Sequence, residues 1–170
     1  VYSNVDIGVF PSFYLFINDR INQGLDAFCI NRRTLPKEYS GIVIDETNFE
    51  LCYSMYGELH PGADCFIFRR DIIPLLNFNH VFVGFPPVGG VLRSQIELNS
   101  KKFQMLLYDH ETFHLGNDRV WKDETNPYWI ENVHQAKGLS IKHRYKHPIN
   151  SKIDKYKYLL FDYLRKKWKF

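Results

Sequence analysis

Four short segments carry the polar residues that could do chemistry. Asn4-Val5-Asp6 puts an amide and a carboxylate two residues apart at the end of a short strand-like run. Alternation along a strand turns both to one side. A carboxylate and an amide so placed can hold a hard divalent cation or a ribose hydroxyl; the same pair equally suits a strand-to-loop turn. In His60-Pro61-Gly62-Ala63-Asp64-Cys65-Phe66, an acid stands at the mouth of an apolar run behind a Pro-Gly turn, with an Asx-turn as the bland alternative. Gly84-Phe85-Pro86-Pro87-Val88-Gly89-Gly90 has the residues of a backbone that turns tightly and approaches a neighbour closely, or of a plain strand-to-helix connection. The fourth segment is Phe113-His114-Leu115-Gly116-Asn117-Asp118-Arg119.

The fourth segment overlaps His110-Glu111-Thr112-Phe113-His114, a literal H-E-x-x-H. On a helix that spacing aims two imidazoles at one zinc ion, with the Glu as general base. Glu131 is available as a third ligand. Gly116 and Asn117 break any helix at once, and seven His in the chain make a chance match credible.

The elements that position these segments follow closely on one another, without repeats or linkers, so residues 1–170 read as a single domain. Apolar residues make up 45% and aromatics 16%, which excludes a disordered chain. The expected strands are Tyr2–Ile7, Ala27–Asn31, Cys65–Phe68 and Val81–Phe85. Phe13, Phe16, Ile17 and Ile21 recur at helical spacing, with Ser12 as N-cap and Gly24 at the C-terminal turn. The first two strands are then expected as parallel neighbours joined by that helix, with Asp6 and Arg32-Arg33 at strand ends. A helix follows Gly90, with Val91, Leu92, Gln95 and Ile96 on one face. Residues 34–48 and 110–129 read as loops, and an amphipathic helix is expected from Ile153.

Charge is uneven. From Lys137 to Phe170 there are eleven Lys and Arg residues against Asp154 and Asp162, a run that fits a solvated helix face or an anionic partner. Cys29, Cys52 and Cys65 have no C-x-x-C spacing and an odd count, which points to buried free thiols in a reducing compartment and hence to the cytoplasm. No run reaches the ~18 apolar residues of a membrane span.

Taken together, the four segments resemble a group within the glycosyltransferases of the nucleotide-diphospho-sugar, or A-type, fold. The resemblance covers most of the chain. It implies an α/β domain, a mixed sheet flanked by helices, like the C-terminal acceptor and metal half of that fold, without the nucleotide-binding half that precedes it. Asn4-Val5-Asp6 resembles the family's D-x-D motif, with Asn4 in place of the first acid. Phe113-His114-Leu115-Gly116 resembles the late loop whose His completes the metal site. Where inverting members carry an acidic pair this chain has Pro86-Pro87, which leaves Asp64 as the substitute base.

The resemblance implies transfer of a sugar from a nucleotide-sugar donor to a hydroxyl acceptor, with no specific nucleic acid partner. Asp6 and His114 would hold a divalent cation, Mn or Mg, on the departing diphosphate. Asn4, Asp6, Arg32 and Arg33 would contact the donor phosphates, and Asp64 would accept the acceptor's proton. His60, Trp121 and Tyr128 would line the acceptor side, with Trp129 as a further flat face. The competing readings are a zinc hydrolase built on His110, Glu111 and His114, and a domain that binds without catalysing.

Overall fold

A computed structural model of the protein describes residues 1–39, 42–60, 63–116 and 123–146. The strands are β1 (Tyr2–Ser3), β2 (Ile7–Val9), β3 (Ala27–Ile30), β4 (Arg33–Leu35), β5 (Glu58–Leu59), β6 (Cys65–Phe68), β7 (Phe103–Leu106) and β8 (Thr112–Leu115). The helices are α1 (Phe13–Asn22), α2 (Phe49–Ser54), α3 (Val88–Asn99) and α4 (Pro127–Lys146), with 3-10 turns at Lys37–Tyr39 and Arg70–Leu75. This is an α/β fold with two mixed sheets flanked by helices.

The first sheet runs β1-β6-β3-β7 and the second β2-β8-β4-β5. Four chain segments, 1–9, 27–35, 58–68 and 103–115, each give one strand to each sheet. Segment 27–35 keeps the same two neighbours throughout. Segment 1–9 changes partner, pairing with β6 through β1 and with β8 through β2. The pairings therefore close a ring of four segments.

The centre of the first sheet explains itself. All four β3 residues, Ala-Phe-Cys-Ile, are buried, as an apolar run must be when both sheet faces are covered. Phe28 and Ile30 face Phe13 and Ile17 of α1, while Ala27 and Cys29 face Leu92 and Ile96 of α3. Burying each of these large side chains is worth about 1.5–3 kcal/mol. Gly24, at φ +87°, ends α1 in the left-handed conformation that suits glycine.

Several expectations are corrected. The strands β1 and β3 are not parallel neighbours: β6 lies between them and runs antiparallel to both. The reason is that β3 is apolar on both faces and has two strand partners, β6 and β7. Val81–Phe85 forms no strand. Its main chain is held by one side chain, that of Asn132 on α4, which accepts from Phe82 N at 2.7 Å and donates to the carbonyls of Phe82 at 2.9 Å and Phe85 at 2.7 Å. A ladder is not needed where a buried amide satisfies those groups. The stretch expected as a loop from 34 to 48 opens with the last two residues of β4, and that from 110 to 129 contains β8 and the start of α4. Ser12 does not cap α1; its hydroxyl donates to Glu111 Oε2 at 3.3 Å instead. The helix expected from Ile153 lies outside the described residues.

Candidate functional site

The second sheet positions the polar groups. Gly8 on β2 sits directly opposite Phe113 on β8, and a Cβ on Gly8 would fall 2.3 Å from the Phe113 ring. Only glycine admits that ring, and the fit sets β2 in register so that Ile7 pairs with His114. Asp6, one residue before β2, then meets the imidazole: His114 Nε2 lies 2.9 Å from Asp6 Oδ2. His114 is buried and Asp6 is open to solvent.

The protons in this contact can be counted. His114 Nδ1 is 2.7 Å from the Gly116 carbonyl, which can only accept, so Nδ1 carries a proton. A neutral ring then has only a lone pair at Nε2, facing a carboxylate that also only accepts. The contact is satisfied by a second ring proton or by a cation shared between the two. Anchoring of a His by its other nitrogen on a backbone carbonyl is the usual support of a metal ligand. Adjacent ligands of an octahedral Mg2+ with bonds of about 2.0–2.1 Å stand about 2.9 Å apart. The same separation is an ordinary N–H···O hydrogen-bond distance. Among the described residues, no group of three or more His, Cys, Asp or Glu is arranged to hold a metal.

Asp64 lies next to this pair through Asn4. Asn4 Nδ2 donates to Asp64 Oδ1 at 3.1 Å, and its main-chain N–H donates to the Asp64 carbonyl at 3.2 Å. Arg32 Nη1 approaches Asp64 Oδ2 at 3.3 Å, and His60 Nδ1 stands 3.7 Å from the same oxygen. The Arg32 contact is an ion pair without hydrogen-bond geometry, so Oδ2 is a buried carboxylate oxygen with no donor. Asn4, Asp6, Arg32, His60, Asp64 and His114 therefore form two linked clusters, although up to 110 positions separate them in sequence.

Arg33 does not join them. In the parallel pairing of β4 with β8, Thr34 is opposite His114 and Arg33 opposite Phe113, so alternation turns Arg33 to the other face. That face packs on α2 through Leu35, Cys52 and Phe113. Arg33 is 1% exposed; it donates to Tyr56 Oη at 3.0 Å and to the Tyr108 carbonyl at 3.1 Å, with its guanidinium 4.3 Å from the Tyr56 ring centre. It stabilises the core edge and is withdrawn from any phosphate on the His114 side.

His110 is also on the aromatic side, edge-on to Phe10 and Tyr56 at 4.7 and 5.2 Å between ring centres. Burial first, and then the charge of Arg33, hold its pKa below the usual His range. Burial pushes Glu111 above the usual carboxylate range, partly offset by its bond to Ser12. Since His114 lies on a strand and faces Asp6, the single helical face that a zinc-binding H-E-x-x-H needs is not formed. Glu131 instead accepts from Gln135 on α4.

Tyr128 is half exposed and packs on Phe82 and Phe85 at 4.7 and 5.4 Å. The α3 start beside this group abuts the Asp64 strand: a Cβ on Gly89 would meet the Ala63 carbonyl at 3.4 Å. Trp129 is half-buried, and Trp121 lies outside the described residues. Sequence reasoning missed Asn132, which fixes this aromatic segment, and Thr34, which neighbours His114. Neither carries a local signal, because each acts on a segment distant in sequence.

No protein-family model, no curated protein and no solved structure matches this chain. Among the described residues no helix is long and apolar enough to cross a membrane.

Proposed function

We propose that this domain is the acceptor and metal half of a sugar transferase, acting on a nucleotide-sugar donor and a hydroxyl acceptor. The observation that carries the reading is the Asp6–His114 contact, in which Nδ1 is committed to Gly116 and Nε2 faces a carboxylate. A divalent cation, Mn2+ or Mg2+, bound there would neutralise charge developing on a departing diphosphate. The chain's own residues do the rest. The Asp64 carboxylate is the proposed acceptor of the acceptor hydroxyl's proton. That hydroxyl oxygen forms the new bond to the anomeric carbon, and the bond from that carbon to the diphosphate breaks with its electron pair leaving on the phosphate oxygen. Arg32 and Asn4 hold Asp64 in place. Tyr128, packed on Phe82 and Phe85, offers an exposed aromatic surface for the acceptor. The three buried free thiols suit a reducing compartment, so the cytoplasm is the proposed location.

The test is thermal shift with nucleoside diphosphates and nucleotide sugars, each with and without manganese, because a ligand of the folded state alone raises Tm. The wild-type chain is expected to show a manganese-dependent rise that Asp6→Asn abolishes and Glu111→Gln retains. A rise that survives Asp6→Asn, or stoichiometric zinc that disappears with His110→Ala, would remove this reading.

A further inference from the structure

The 3-10 turn Arg70–Leu75 carries a surface that the candidate site does not use. Ile72 is buried with Leu92 and Ile96 of α3 and anchors the turn to the first sheet. The next three residues are apolar and open to solvent. Ile73 is 53% and Leu75 56% exposed, and Pro74 between them is exposed as well. Single exposed apolar residues are ordinary, whereas a contiguous group marks a surface that meets something.

Cations gather beside this group. The Arg69 main-chain N–H donates to the Asp26 carbonyl at 3.2 Å. The Asp26 carboxylate accepts from the main-chain N–H groups of Lys101 and Lys102, each at 2.8 Å. Asp26 therefore ties the start of the turn to the link after α3. Asn99 Nδ2 donates to the Leu75 carbonyl at 3.4 Å and brings the end of the turn to the same link. Arg69 is paired with Asp71, through Nε at 3.1 Å and Nη2 at 2.8 Å. Among the described residues, Arg70 and Lys101 make no ion pair. Arg69, Arg70, Lys101 and Lys102 are all exposed, and only Asp26 and Asp71 stand among them.

We propose that this surface docks on an anionic lipid bilayer, with Ile73 and Leu75 entering the headgroup layer and Arg70 and Lys101 against the lipid phosphates. Charge complementarity selects the occupant. An excess of cations around an aliphatic crest suits the boundary between anionic headgroups and acyl chains. A small anion would meet the cations but leave Ile73 and Leu75 in water, and an apolar partner would cover those two but leave the cations unmatched. Among the described residues no helix is long and apolar enough to cross a membrane, so the contact is with the bilayer surface. Asp64 precedes β6 and Arg69 follows it, so the candidate site lies at the other end of that strand and stays open to water when the turn is docked.

The experiment is co-sedimentation of the full chain with vesicles of phosphatidylcholine alone and of phosphatidylcholine with phosphatidylserine. One variant combines Ile73→Ser with Leu75→Ser, and another Arg70→Glu with Lys101→Glu. All four residues are exposed, and Tm is the control for folding. The Lys- and Arg-rich run from Lys137 to Phe170 is the same in every chain, so its own contribution is common to all. The wild-type chain is expected on the phosphatidylserine vesicles only. Each variant should weaken that binding by about tenfold or more, since one cation at an anionic surface is worth about fivefold and each aliphatic side chain a similar amount. A polarity-sensitive fluorophore on Ile73→Cys, selective because Cys29, Cys52 and Cys65 are buried, should shift to shorter wavelength on the same vesicles. No binding to either vesicle, binding undiminished in either variant, or a label that stays in a watery environment overturns the proposal.

Discussion

The two sheets are made from the same four chain segments, yet they differ in what covers them. The first sheet is clamped on both faces, by α1 on one side and α3 with the 3-10 turn at Arg70–Leu75 on the other, and its central strands are wholly apolar. The second sheet has an apolar cluster on one face only, against α2, although Thr112, His114 and Thr34 on its other face are also buried. Its other face bears His114 and Thr34, beside Asp6. Segments 27–35, 58–68 and 103–115 are more apolar where they cross the first sheet and more polar where they cross the second, whereas segment 1–9 gives Tyr-Ser to the first and Ile-Gly-Val to the second. The large apolar clusters lie on the first sheet, and the Asp6–His114 contact lies on the second.

The largest effect expected from this division is at Phe28, which is fully buried between β6 and β7 and packs on α1. Phe28→Ala should cost about 3–5 kcal/mol in chemical denaturation, from lost burial and the cavity left behind. Asp6→Asn, at a solvent-exposed site in the second sheet's margin, should change stability by less than ~0.5 kcal/mol. Comparable losses from the two substitutions would break the comparison.

Gly8 tests how the second sheet builds its contact. Gly8→Ala drives a methyl into the Phe113 ring, which is itself 1% exposed and backed by Tyr53. Overpacking of this kind costs about 1–3 kcal/mol. Because β2 must move away from β8, Asp6 should separate from His114, and manganese-dependent diphosphate binding should weaken along with Tm. A variant that lost stability but kept full binding would show that the register at Gly8 does not set the Asp6–His114 pair.

What was legible in the sequence was whatever one element decides by itself. The runs Ala27–Ile30 and Cys65–Phe68, the spacing of Phe13 and Ile17, and the buried face of α3 are local patterns, and the structure has them. Asp6 and His114 were expected together only through the resemblance, as shared ligands of a cation, and the hydrogen bond of Asn4 to Asp64 was not expected. What was not legible depends on pairing across long separations. Arg32 and Arg33 are adjacent and chemically alike, and only the register of β4 against β8 sends them to different environments. Val81–Phe85 has a strand's composition, but Asn132 takes its hydrogen bonds. The start of α4 did leave a local signal: Asn126 before Pro127, with the Asn side chain accepting from Tyr128 N at 2.9 Å, is a cap followed by a proline at the first helical position.

The smallest effect concerns pH and isolates the covered face of the second sheet. His110 packs beside Arg33 in that face, where burial and then the neighbouring charge disfavour its protonated form. The unfolded chain holds this proton up to about pH 6.5, and the folded chain releases it at a lower pH. In the window between the two values the unfolded state binds more protons, so stability rises with pH there. The contribution is fully present above about pH 6.5 and is lost as pH falls toward the folded value. Glu111 has the opposite sign, because its raised pKa makes the folded state hold a proton that the unfolded chain has given up above about pH 4.3. Replacing His110 with Gln removes the first term and leaves the second. The rise in Tm from about pH 5.5 to 7 should therefore be shallower in His110→Gln than in the wild-type chain, whereas a parallel pair of curves would place the His110 ring in water rather than against Phe10, Tyr56 and Arg33.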